Sequence, residues 1–255
     1  MKFTFSCFII FYTSFCYSFV VLIDPGHGGK ELGAKSQVTR VNSKGKKYTR
    51  DIYEKDLTLA LAKKLKFHLK KKFSTYLTRS FDRTVSLEQR AAMADTVKAD
   101  VFISIHFNAS HSRNSHGIET YYLDNHNDKA IKKIEAIENE SLEGDKKVIN
   151  QILIDLAIQK TVPSSKKLAN FIHSEVASKI SNEMGVRDRG IKPGLFYVLA
   201  LSKRPGVLVE GGFMSNSKEV KKISTNKYLS EYAKAVAKGI IDYYNQLPKK
   251  DIPLF

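Results

Sequence analysis

Short apolar runs that stop at a polar or glycine signature alternate with helical segments along almost the whole 255-residue chain, and this alternation restricts the fold most. Val20 to Ile23, in VVLIDPGHGG, is an apolar run that reads as a buried strand, which Pro25 and the following glycines must stop. FSTYLTRS (73–80), DVFISIHFNAS (100–110), GIETYYL (117–123), LFYVLA (195–200) and GVLVEGG (206–212) read as further strands. Between them, Leu57, Leu61, Leu65 and Leu69 repeat at helical spacing behind Glu54, and SLEQRAAMADTV forms a helix with Ser86 as N-cap. Residues 128–160 are a charged helical stretch interrupted at Gly144. Residues 164–185 form a helix with Gly185 as its C-cap, and Tyr228 to Leu247 forms the last one. The polar stretch Lys30 to Asp51 reads as a long loop. Strands alternating with helices predict one α/β domain, 19–247, with a central, mostly parallel sheet flanked by helices.

The first eighteen residues read as an export signal. Lys2 is the positive end, residues 3–15 the apolar core, and Cys16-Tyr17-Ser18 a small-x-small site. Cleavage there removes both cysteines, so an exported product has no disulfide to rely on and no stable membrane span. Residues 248–255 are a tail. The net charge of +16 favours an anionic partner, but the basic residues are scattered and no nucleic-acid motif is present.

In open α/β sheets chemistry collects at strand ends. Here one strand runs into His27, one ends in His106 and Asn108, and one ends in Glu210 followed by two glycines, while Glu54 opens the first helix. Two histidines and a carboxylate can hold zinc with a position left for water, and a further carboxylate can move that water's proton. Each residue has a plainer alternative: His27 as a turn residue, His106 as a satisfied core histidine, Glu54 as a helix-dipole partner. Glu210 is harder to dismiss, because a carboxylate behind Val207-Leu208-Val209 is costly to bury without a partner. His68, His111, His116, His126 and His173 read as surface residues.

VVLIDPGHGG, YEKDLTLALAKKLK, YLTRSFDRTVSLEQRAAMAD, VFISIHFNAS, GIETYYL and PGVLVEGGFMSN occur in this order. The series resembles the zinc-dependent N-acetylmuramoyl-L-alanine amidases of the bacterial cell wall. That resemblance implies zinc held by His27, Glu54 and His106, Glu210 as the catalytic carboxylate, and Asn108 as a substrate contact. It implies peptidoglycan as the substrate and a periplasmic location. Phe107 stands where the family commonly has alanine, and Gly211 where it usually has threonine. Residues 128–163 resemble the helical regulatory insert of the Gram-negative cell-division amidases. In those enzymes an acidic residue caps the zinc and a neighbouring helix binds a LytM-type activator. Glu138 is the best match for the cap, with Glu135 and Glu140 as rivals. Val148 to Leu156, whose Val148, Ile149, Ile152, Leu153 and Leu156 share a helical face, matches the activator helix. The rival classes are an inactive peptidoglycan-binding protein, a basic nucleic-acid binder, and a zinc peptidase or deacetylase using the same ligands.

Overall fold

The computed structural model describes residues 18–139 and 146–248, and the side chains of 18–139 and 154–248. Residues 1–17 of the expected leader, residues 249–255 of the expected tail, the rival cap Glu140 and the side chains of Val148 to Leu153 lie outside these residues. Six strands form one sheet in the order β4-β1-β5-β8-β6-β7: β1 (Val20–Pro25), β4 (Ser74–Leu77), β5 (Val101–Asn108), β6 (Ile118–Leu123), β7 (Asp188–Gly194) and β8 (Gly206–Phe213). β4, β1, β5 and β8 run parallel, and β6 meets β8 antiparallel, so the sheet is mostly parallel.

Side-chain alternation on the strands decides which helix layer each residue meets. Val21, Ile23, Ile103, Ile105, Val207 and Val209 pack into one core with α1 (Glu54–Leu69), α4 (Lys146–Val176) and α7 (Asn226–Asn245). Leu22, Phe102, Leu208 and Tyr121 point the other way, into a smaller core with α2 (Leu87–Thr96), α3 (Lys129–Glu138) and α5 (Tyr197–Ser202). Asp24, Ser104, His106 and Glu210 continue this second face toward the strand ends, so the polar site lies under the thinner layer. Ser86 caps α2 with a full capping box, and α1 begins at Glu54.

Four expectations are corrected. The stretch read as a loop is a hairpin, β2 (Lys35–Val41) with β3 (Lys47–Tyr53); it is mostly exposed, so no apolar alternation marks it. LFYVLA is not a strand: Tyr197–Ser202 is the short helix α5, where burial of Val198, Leu199 and Ala200 overrides β propensity. Residues 146–176 form one helix with Pro163 inside it, followed by a π-helical turn, Ala177–Asn182, so the expected boundary at 163 is not a break. Finally, two histidines assigned to the surface are engaged. His173 is 6% exposed and bridges Thr120 Oγ1 (2.9 Å) and Asp188 Oδ1 (2.8 Å), while His126 pairs with Glu135.

Candidate active site

Asp24 anchors the glycine turn from below. It is buried, accepts hydrogen bonds from Thr78 and Ser104, and pairs with the Arg90 guanidinium. Burial pushes its carboxyl up, but Arg90 and Thr78 outweigh that and hold it below the usual range. Arg90 also donates to the carbonyls of Pro25 and His27, and Arg79 donates to those of Pro25, Gly26 and Lys55. Two buried arginines thus satisfy the carbonyls of a turn that makes little regular secondary structure. Sequence reading missed both, although each stands inside the block YLTRSFDRTVSLEQRAAMAD.

On this cradle His27 adopts φ 58°, a left-handed conformation that non-glycine residues rarely hold outside strained sites. Its ring turns toward α1. His27 Nε2 lies 3.2 Å from Glu54 Oε2, and His106 Nδ1 lies 3.2 Å from Glu54 Oε1. Glu138, the last residue of α3, brings Oε2 to 2.9 Å from His106 Nδ1 and 3.6 Å from His27 Nε2. The ligand atoms of His27, Glu54, His106 and Glu138 all lie within 4.8 Å of one another. Glu54 is fixed by the backbone N–H groups of Ala34 and Phe107, each 2.9 Å from one of its oxygens. A cavity of about 480 Å³ opens beside the cluster, with Ile137, Glu138 and Asn139 on one side and Leu87 and Val198 on the other.

The charges explain the clustering. Burial lowers both histidines, but Glu54 and Glu138 overcome it and raise them, His106 well above its ordinary value. Burial raises Glu54, and the two histidines reverse this and pull it down. Glu210 behaves differently. It pairs in register with His106 across β5 and β8, is fully buried, and neither carboxylate oxygen has a hydrogen-bond partner among the described residues. Burial drives it well above the carboxylate range; His106 opposes this, and Glu138, Glu54 and Glu119 add to it. A carboxylate without a partner among the described residues is costly to keep ionised, so burial favours the neutral form of Glu210.

The structure therefore brings His27, Glu54, His106 and Glu138 together, with Glu210 on the adjacent strand. Asn108 lies further along β5; its Nδ2 donates to Glu119 (2.9 Å) and its buried Oδ1 has no partner among the described residues. Glu135 does not enter the cluster. It receives the Leu195 N–H and pairs with His126. Glu119 was not foreseen; it sits opposite Glu210 across β6 and β8 and carries Arg189 and Lys192.

The family model described as N-acetylmuramoyl-L-alanine amidase matches residues 21–242. The amidase AmiA of Escherichia coli (strain K12) is 30% identical over 236 residues, covering 89% of this chain and 76% of that protein. The amidase LytC of Bacillus subtilis (strain 168) is 30% identical over 225 residues; the match covers 88% of this chain but only 35% of that longer protein. A crystal structure of an N-acetylmuramoyl-L-alanine amidase from Clostridium difficile 630 superposes with a TM-score of 0.66 at 30% identity, covering 91% of this chain and 99% of the other.

Proposed function

This chain belongs to the N-acetylmuramoyl-L-alanine amidase family, and we propose from that premise that it hydrolyses peptidoglycan at the amide between N-acetylmuramic acid and the L-alanine of the stem peptide. One observation carries the reading: His27, Glu54 and His106 converge at strand and helix ends, and the unpaired Glu210 stands in register with His106. The donor set fits zinc. It is two imidazoles and one carboxylate, held by backbone N–H groups behind it, and His27 Nε2 makes no hydrogen bond among the described residues despite its two carboxylate neighbours.

Zinc bound there supplies a Lewis acid that polarises the scissile carbonyl and makes water a stronger nucleophile near neutral pH. The chain's own residues do the rest. Glu210, ionised once a cation beside it offsets its burial, would take the proton of the attacking water and return it to the leaving nitrogen, and its dry position keeps that proton from bulk solvent. Asn108, with Oδ1 unpaired, accepts a hydrogen bond from the substrate. The cavity beside the cluster receives the chain to be cut. We assign the work to the periplasm, on the leader-like residues 1–18.

The same reading makes α3 an inhibitor. Glu138 competes for the position a substrate or water needs, and Asn139, next in sequence, holds the helix end by donating to Leu195 O (2.8 Å) and accepting from Tyr197 N–H (2.9 Å). A LytM-type activator would bind the first part of α4, where Leu156 is 56% exposed, and could shift the balance only by preferring the released state. The test of the activity is digestion of purified sacculi with mass analysis of the products. Stem peptides with a free L-alanine amine are expected with zinc present and none after chelation. Undiminished release from metal-free protein would overturn the reading.

A further inference from the structure

The line of charge that begins at His106 and Glu210 continues past them across the sheet. Glu119 faces Glu210 on β6 and is 1% exposed. One of its oxygens accepts from Asn108 Nδ2 and the Tyr121 hydroxyl, and the other accepts from both Arg189 Nε and Lys192 Nζ. One carboxylate thus carries two cations, and Asp128 adds a longer-range partner for Lys192. Both cations keep about a quarter of their side-chain surface in solvent, 27% and 25%, so they are held from behind and open in front. The Arg189 guanidinium also lies 5.2 Å from the centre of the Phe213 ring, which fixes its plane.

The Arg189 stem lies against Gly117, whose N–H donates to Glu219 in the wall of a second cavity, of about 670 Å³, lined by the 113–116 loop, the segment before β7 and α6 (Ser217–Ile223). Arg113, Arg187, Lys218 and Lys222 line it. Its one carboxylate, Glu219, is 7% exposed and is taken up by the backbone N–H groups of Gly117 and Phe213. Among the described residues no acidic side chain pairs with Arg113, Arg187 or Lys218. Like charges gathered around a cavity repel one another, and an anion entering from outside relieves that repulsion.

We propose that Arg189, Lys192 and this cavity form a carboxylate-binding subsite that seats the acidic stem peptide on the leaving-group side of the scissile amide. The inference rests on the amidase reading above. The chemistry selects the peptide side: cutting the amide separates a glycan acyl group from a peptide amine, and the stem peptide bears carboxylates. Arginine and lysine at a solvent-open rim recognise carboxylates directly and also speed their approach.

The experiment uses the full zinc-loaded protein with two soluble muropeptides, one with free stem carboxylates and one with those carboxylates amidated. The charge-reversal variant Arg113→Glu/Lys218→Glu alters two exposed side chains. On the free-acid substrate its KM is expected to rise about tenfold with kcat held within about twofold, the equivalent of roughly 1.4 kcal/mol of lost binding. The neutral pair Arg113→Gln/Lys218→Gln is expected to give an intermediate rise, which separates charge from misfolding. On the amidated substrate wild type and variants are expected to converge. An unchanged KM, or an equal rise on both substrates, overturns the subsite while wild-type cleavage leaves the amidase reading standing. Failure of both the wild type and Glu138→Ala to release peptide from either substrate overturns both.

Discussion

Gly26 has no side chain because the His106 ring occupies the space one would need: an added Cβ would lie 2.3 Å from His106 Cε1 and 2.4 Å from Nε2. Gly33 is constrained in the same way by Glu54 and His27, at φ +64°. Gly26→Ala is therefore expected to push His106 out of the cluster and weaken zinc binding by about 10- to 100-fold, the scale seen when ligand-orienting contacts are lost; titration with a competing zinc chelator measures it. Glu210 makes the opposite separation. It is not among the four clustered ligand groups, so Glu210→Gln is expected to keep zinc stoichiometry while turnover falls about 10²- to 10⁴-fold. Wild-type turnover in that variant, with zinc bound, would move the general base elsewhere.

At the scale of elements, α3 has two parts: Ile131 packs into the smaller core, and Glu138 at its end reaches the cluster. Asp128 caps its start, and its end is tied by Glu135 and Asn139 to the backbone just before and within the first turn of α5. If Glu138 is an inhibitory cap, then Glu138→Ala and Asn139→Ala are both expected to raise basal dye release from labelled sacculi without changing zinc content, the first by removing the carboxylate and the second by loosening the helix that carries it. Unchanged basal rates in both would make α3 ordinary scaffold. The strands β1, β5 and β8 were legible because their apolar runs are rich in β-branched residues. The β2–β3 hairpin was not, because neither face is fully buried and its register is set by backbone pairing around Asn42 and Gly45. Neither was β7, whose DRGIKPG has few apolar residues and gains its place from pairing with β6.

For the whole molecule, Asp24 is the joint. Through Thr78, Ser104 and Arg90 it links β1 to the end of β4, to β5 and to α2. Its folded carboxyl titrates below its unfolded value, so its contribution is fully present above the unfolded value, about 3.9, and is lost as pH falls through the folded one. Asp24→Asn leaves Arg90 buried without its charge partner. It is expected to cost about 3–5 kcal/mol near neutral pH, with the difference from wild type shrinking below about pH 4. Urea unfolding at pH 7 and pH 3 checks both halves; an equal deficit at the two pH values would assign the effect to packing rather than to the ion pair.

Periodicity and strand-end signatures by themselves determined the α/β class, the helices at Glu54, Ser86 and Tyr228, and a short set of polar residues, His27, His106, Asn108 and Glu210, at the ends of apolar runs. These are local properties: a buried strand must be apolar, and a polar residue ending it must have a reason. Which of those residues meet was decided only by the tertiary structure. Glu54 stands 27 residues from His27 in the chain, but the parallel register of β1 and β5 and the packing of α1 bring His27, Glu54 and His106 to one point. The two arginines beneath the turn, the Glu119 hub and the burial of His173 against Thr120 depend on partners distant in sequence. A charged residue written in a line carries no mark of whether it will face water or another charge; the sheet order and the layer above it settle that.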